Sequence, residues 1–416
     1  MIINWQRNIK LSGIGMLYII SMTIAYLQTS RYFKMYYLTS YIIACFWIFL
    51  ALSKYIKNGR RYKSIVYEIT KYYGLLMIFP WIIFMINNIY IYISGNGYNQ
   101  FIKSSMIQIQ FMPITILCAM STFYIFKEKS LKYIGYTIIS SYIVIFITQI
   151  FQEGVLQFFN AVITIFSGNT INNPFECSAD ILFALGLLSI YYFDKRLIKR
   201  LEEKRHVLIA ILLIILGTKR IQVIALAPIF FLIILFRKIK LAKVQNIIKS
   251  IISIVFALLL YIYVYLINTQ YLSRFIYSSG INSMGRVKFY DFISQYFDFS
   301  LNYKGHGYSF ANLMLEKNGF YYVLHNDVLK IFVEMGFIIF TFWIIYNLFV
   351  IERKIREKIS TEISNLYWFM TIYLFILYCT DNAINYFVTQ TVFIVIIMNA
   401  TYRWIYINNK NKVNIK

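Results

Sequence analysis

The chain has 416 residues, of which 60% are hydrophobic and only 14% charged, with a mean hydropathy of +0.62. About a quarter of the residues in a soluble globular domain are charged, so a water-soluble fold is excluded and lipid is the natural solvent. The formal net charge of +24 sits mostly in short stretches between apolar runs; that pattern marks membrane orientation and, with no RNA- or DNA-binding signature beside it, excludes nucleic acid as a partner.

A helical crossing needs about 20 mostly apolar residues. Runs of this kind predict spans over 11–28, 36–53, 72–94, 106–126, 133–151, 178–193, 206–217, 221–236, 250–267, 327–350, 365–380 and 383–400. The first run lacks a small-residue cleavage site and reads as an anchor that stays in place. The segments 1–10, 54–71, 127–132, 194–205, 237–249, 351–364 and 401–416 hold 30 of the 41 Lys and Arg but only 8 of the 17 acidic residues. That bias is specific to Lys and Arg, as the positive-inside rule requires, and it puts both termini in the cytoplasm. A single helix through 206–236 would reverse every later segment, so a hairpin is preferred there. The expected fold is all-α: a single transmembrane domain of about 12 helices over residues 1–416, with one large extracytoplasmic loop at 268–326.

Three outer segments exceed a turn: 95–105, 152–177 and 268–326. Within the last, 284–299 reads as a short amphipathic helix, with Val287, Phe292, Ile293, Tyr296 and Phe297 as its apolar stripe. Cys45, Cys118, Cys177 and Cys379 contain no CxxC pair, so neither a disulfide framework nor a zinc site is expected. The 38 Tyr and 37 Phe fit interfacial belts and core packing; for the outer Tyr303, Tyr308, Tyr321 and Tyr322 the alternative is stacking against sugar rings.

Three places carry candidate chemistry. The 206–236 hairpin covers 31 residues, short of the roughly 40 that two crossings need. Its turn, Gly217-Thr218-Lys219-Arg220, would leave Lys219 and Arg220 in the outer half of the membrane, where a cation is either functional or snorkels from a tilted turn. The loop carries Arg274, Arg286, Lys288, Lys304, His306, Lys317 and His325, cations that suit an anionic ligand or that a long loop simply tolerates. Finally, His325-Asn326-Asp327 precedes the 327–350 span. Asn326 or Asp327 is the expected N-cap, and free amides beside His325 would favour an anion. The alternative is an interfacial histidine beside a cap. Gly336 is eleven residues on, about three turns and roughly 16 Å along the same face. There a glycine permits close approach of a helix or a lipid chain.

Together these features resemble the bacterial O-antigen ligase and polysaccharide polymerase (Wzy-type) superfamily. Gly217-Thr218-Lys219-Arg220 is similar to its small-residue-then-Arg turn. Gly285-Arg286, followed by an amphipathic helix and Gly305-His306-Gly307, is similar to its Arg-helix-GxG segment. Arg274 stands eleven before Gly285 and His325 eleven before Gly336, matching Arg-x10-Gly and His-x10-Gly patterns. His325-Asn326-Asp327-Val328-Leu329 with Glu334 and Gly336 resembles its HN-x-x-L…E-x-G stretch. Lys219, the missing proline before the GxG segment, and Tyr290 in place of a tryptophan depart from the pattern.

The resemblance implies a C-type glycosyltransferase-like membrane fold acting at the outer face of the bacterial cytoplasmic membrane. It implies donor and acceptor oligosaccharides on undecaprenyl diphosphate, no metal or cofactor, and a flippase and chain-length regulator as companions. Catalysis would fall to Arg220, Arg286 and His325, with His325 a base on the acceptor hydroxyl or a donor to the diphosphate. Substrate contacts would fall to Arg274, Lys219, Lys288, Gly305, Gly307, Asn326 and Gly336. A ligase that moves finished glycan is the rival within the family. A flippase is the rival from another class, though it should show paired broken helices.

Overall fold

The protein is described from a computed structural model that covers residues 12–28, 30, 33, 38–58, 64–95, 111–166, 173–176, 178–194, 201–280, 285–320 and 323–413, with backbone alone at 201–207 and 408–413. Segment 96–105 of the first outer loop, Cys177, Tyr321, Tyr322 and Met284 lie outside the described residues.

Every regular element among the described residues is helical. In chain order they are α1 (Gly13–Leu27), α2 (Leu38–Asn58), α3 (Ile65–Ile93), α4 (Phe111–Phe126), α5 (Ser130–Glu153), α6 (Val155–Phe166), α7 (Ala179–Phe193), α8 (Leu201–Leu216) and α9 (Arg220–Lys238). There follow α10 (Ala242–Asn268), α11 (Tyr271–Ser278), α12 (Arg286–Ser294), α13 (Phe310–Lys317), α14 (Asp327–Ile345), α15 (Ile351–Lys358), α16 (Thr361–Tyr378) and α17 (Phe387–Val413). Each of the twelve apolar runs coincides with a helix. Among the described residues, six helical stretches are long and apolar enough to cross a membrane: 38–57, 65–93, 111–153, 220–238, 242–268 and 327–358. The 111–153 stretch joins α4 and α5 through a single turn at Lys127–Lys129. The chain is an all-α, polytopic membrane protein.

The exposed faces confirm the solvent. Along α2, Leu38, Ile42, Phe46, Phe49, Leu52 and Ile56 are exposed; along α10, Ile247, Ile251, Ile254, Leu258 and Ile262 are exposed. Apolar faces of this extent are not tolerated in water. The polar side chains turn inward instead. α7, α16 and residues 387–401 of α17 are buried almost throughout and form the centre. At one end of α10, the Lys249 ammonium meets Glu352 and Ser364, tying α10 to α15 and α16. At the other end, Tyr263 and Asn268 bond to the connections that carry the candidate site.

Two expectations change. Residues 152–177 are not a plain outer segment, because 155–166 form α6, with Val155, Leu156, Phe159 and Ile163 exposed on one side. The run was too short to count as a span, and its stripe follows the helical period. The hairpin is also longer than 206–236. α8 and α9 have 16 and 19 residues, and α9 alone is long and apolar enough to cross. Hydropathy missed the charged first turn of α8 and the Arg237-Lys238 end of α9, which are helical nonetheless.

Candidate functional site

The large loop folds back onto the helix that follows it. Gly285, at φ 79°, turns the chain into α12, which spans 286–294 rather than 284–299. Gly305 and Gly307, at φ 82° and 96°, carry the next turn. This turn docks on α14 where Gly336 breaks the helix with φ 79° and ψ 173°. The break exposes amides and carbonyls that a regular helix would satisfy internally, and the loop supplies their partners. His306 N donates to Val333 O, Gly307 N donates to Glu334 O at 2.8 Å, and Phe337 N donates to Tyr303 O at 2.9 Å. A Cβ on Gly336 would lie 2.4 Å from the Lys304 carbonyl carbon, and one on Gly305 would lie 2.6 Å from the Glu334 oxygen.

Gly336 therefore admits its own loop, not a neighbouring helix or a lipid chain. Gly305, Gly307 and Gly336 are buried in that contact and build the frame of the site. His306 locks the turn, with its Nε2 2.6 Å from Tyr296 O and its ring stacked on Phe310 at 4.1 Å. Burial pushes the His306 pKa down, against the smaller upward pull of the Tyr296 carbonyl.

The docked loop sets His325 and α12 against the turn between α16 and α17. The His325 Nδ1 lies 3.3 Å from Asp381 Oδ1, and its side chain remains 35% exposed. Asp381 also accepts from the Tyr386 hydroxyl at 2.6 Å and from the Asn382 amide at 2.8 Å. Burial opposes the charge on Asp381, but the bonds from His325, Tyr386 and Asn382 outweigh it and hold the carboxyl below its usual value. Arg286 donates to the Thr380 carbonyl, one residue from Asp381, and Tyr290 donates to the His325 carbonyl at 3.2 Å. One face of α12 thus presents Arg286 and, one turn on, Tyr290 to the same corner. Asn326 caps α14 by accepting from the Leu329 amide at 3.0 Å and donates to the Tyr263 hydroxyl at 2.8 Å. It is fully buried, and its two bonds fix the backbone next to His325.

No side-chain hydrogen bond or ion pair among the described residues joins the remaining candidates to this corner. Lys219 pairs with Glu176 at 2.6 Å. Arg220 is exposed on the first turn of α9, whose packing partners are α7, α8 and α16. Arg274 is exposed on α11 with its guanidinium 5.9 Å from the Tyr271 ring centre. Lys288 is exposed on α12.

Sequence reasoning missed Asp381 and Tyr386, although a lone carboxylate between two apolar runs is the signal that flags function in a membrane. It also missed Lys330, a buried cation in the first turns of a mostly apolar helix. Lys330 borders a cavity of about 390 Å³ shared with Asn312, Asn382, Asn385 and Tyr386. Tyr386 and Asn382 connect this cavity to the His325–Asp381 corner. Among the described residues no group of three or more His, Cys, Asp or Glu side chains is placed to hold a metal ion. No family model, curated protein or solved structure matches the chain.

Proposed function

We propose that this chain is a polysaccharide polymerase of the Wzy type, with twelve crossings, both termini cytoplasmic, and a C-type glycosyltransferase-like fold in the bacterial cytoplasmic membrane. It joins oligosaccharide repeat units carried on undecaprenyl diphosphate at the outer face. The observation that carries this reading is the His325–Asp381 pair beside Arg286, assembled by a loop that docks on a broken helix.

The chemistry follows from that corner. With Nδ1–H donated to the Asp381 carboxylate, His325 keeps a lone pair on Nε2 for an incoming proton. The acceptor hydroxyl attacks the anomeric carbon of the donor glycan, and its proton passes to Nε2. The bond from that carbon to the diphosphate oxygen breaks, and the diphosphate leaves with the bonding pair. Arg286 spends one donor on Thr380 O, which leaves the rest of its fork for phosphate oxygens. Arg220, exposed and without a hydrogen bond or ion pair to another described residue, is the second cation for the leaving charge. Exposed Lys288 and Arg274, with Lys219, are assigned to meet the anionic substrate on its way to the corner.

Replacing His325 or Arg220 by Ala, in variants that insert at wild-type levels, is expected to abolish long glycan in an otherwise intact strain. Wild-type chain length in both variants would sink the assignment. The lipid-linked glycans of a deletion strain separate polymerase from ligase: single repeats support the polymerase, and long lipid-linked chains support the ligase.

A further inference from the structure

Lys330 is unlike the other cations near the site. It is only 3% exposed, and it sits in the first turns of α14, where the helix dipole disfavours positive charge. Its ammonium lies 5.0 Å from the Tyr308 ring centre and makes no hydrogen bond or ion pair with another described residue. The carboxylates of Glu334 and Asp327 act on it only through space. A buried ammonium without a directly bonded partner is costly, and this one borders the 390 Å³ cavity.

Neutral amides complete the wall. Asn385 Oδ1 accepts from the Tyr308 hydroxyl at 3.0 Å, and Asn312 Oδ1 accepts from the Leu324 amide at 3.2 Å. The Nδ2 groups of both are left without a protein partner among the described residues, and the buried Asn382 Oδ1 has none either. Asp180 also borders the cavity, but its carboxylate is filled by the Val388 and Thr389 amides and the Thr389 hydroxyl. Tyr41, Phe111 and Phe387 supply flat apolar faces.

We infer that this cavity holds one acidic sugar of the substrate glycan, with its carboxylate on Lys330 and its hydroxyls on Asn312, Asn382 and Asn385. One ammonium among neutral amides matches a single negative charge on a polyhydroxylated ring. A diphosphate would bring more charge than this pocket can neutralise, whereas Arg286 stands at the corner next door. The volume is in the range of a small-ligand site. The inference rests on the glycan-polymerising reading, since it names the class of sugar that the transferred unit carries beside the reacting corner.

The test uses the full-length protein in lipid nanodiscs and saturation-transfer NMR, with glucuronate, glucose and inorganic phosphate as probes. Glucuronate is expected to bind, glucose to bind more weakly, and phosphate not to displace glucuronate. Lys330→Met should weaken glucuronate about tenfold to a hundredfold, the range for losing a charged hydrogen bond, and leave glucose unchanged. Asn385→Asp keeps the acceptor that Tyr308 needs but sets a like charge in the pocket, so it should weaken glucuronate similarly if Lys330→Met does not fold. No glucuronate binding, binding equal in wild type and a folded variant, or displacement by phosphate would overturn the inference. His325→Ala separates the two readings. Its glycan chain length reports on the polymerase, while its glucuronate binding, expected to be intact, reports on the pocket alone.

Discussion

At the residue scale, the site depends on a few side chains whose surroundings were not contiguous in sequence. Asp381 is the clearest. Its pKa is held below the usual carboxylate value, so its charge stabilises the folded state above the unfolded value near 3.9. That contribution is lost as pH falls through the lower folded value. Asp381→Asn is therefore expected to be less stable than wild type at neutral pH, with the gap in melting temperature closing below about pH 4. A gap that persists unchanged at pH 3 would argue against a carboxylate bonded as described. Arg220 gives the opposite expectation. Because it is exposed and bonds to no described residue, Arg220→Ala should leave the melting temperature within error while removing long glycan. A large drop in stability would mean that the arginine serves packing.

The histidine, arginines and glycines were legible because their types and spacings are unusual in an apolar chain. What each glycine does was not. A shared face for His325 and Gly336 needs both in one regular helix, but His325 precedes the extended Asn326 cap and Gly336 itself leaves the helical conformation. Gly336 adopts φ 79°, ψ 173°, and a break cannot be seen from periodicity when the residues on both sides of it remain apolar. Asn326 was legible as a cap, yet its burial against Tyr263 came from a helix over sixty residues upstream.

At the element scale, the joint between the 303–307 turn and α14 decides whether the corner exists. The backbone at Gly336 is in a region that is essentially glycine's alone, costing a side-chain-bearing residue about 1–3 kcal/mol, and a Cβ there would clash with the Lys304 backbone. Gly336→Ala is expected to free the loop, seen as faster proteolysis after Lys304, and to lose long glycan even where His325 and Arg286 are intact. Unchanged cleavage would refute the docking role. The same joint should respond to acid. The His306 pKa is lowered by burial, so its neutral form stabilises the fold at pH above the unfolded value near 6.5, and that stability is lost as pH falls through it toward the folded value. After correction for intrinsic exchange, the amides of Gly307 and Phe337 should exchange faster at pH 5.5 than at 7.5. His306→Gln should remove most of that difference, and equal protection of the wild type at both values would refute the role given to His306.

At the scale of the whole molecule, the arrangement of charges and the placement of the site make one claim about sidedness. The turn between α9 and α10 lies in 237–249, one of the basic segments read as cytoplasmic, and α11 follows α10 on the far side. α10 has 27 residues, with Ile251, Leu258 and Ile262 exposed along its length and Ser253, Leu260 and Val264 buried on the other face, so it is long and apolar enough to cross a bilayer. Its early end holds the buried Lys249–Glu352 pair and its late end reaches Cys379 O through Tyr263, next to the His325–Asp381 corner. Polar side chains at the late end and a buried ion pair at the early end fit the proposed reading of a transferase that faces outward. In a cysteine-free background, Lys240→Cys and Ser279→Cys should therefore label oppositely with a membrane-impermeant maleimide on intact cells. Position 279 should react at once and position 240 only after permeabilisation. Because α10 is the one helix between the two positions that is long enough to cross, the reverse pattern would place the corner in the cytoplasm. No lipid-linked glycan already moved to the outer face would reach it there, and the polymerase reading would fall while the helical architecture stood.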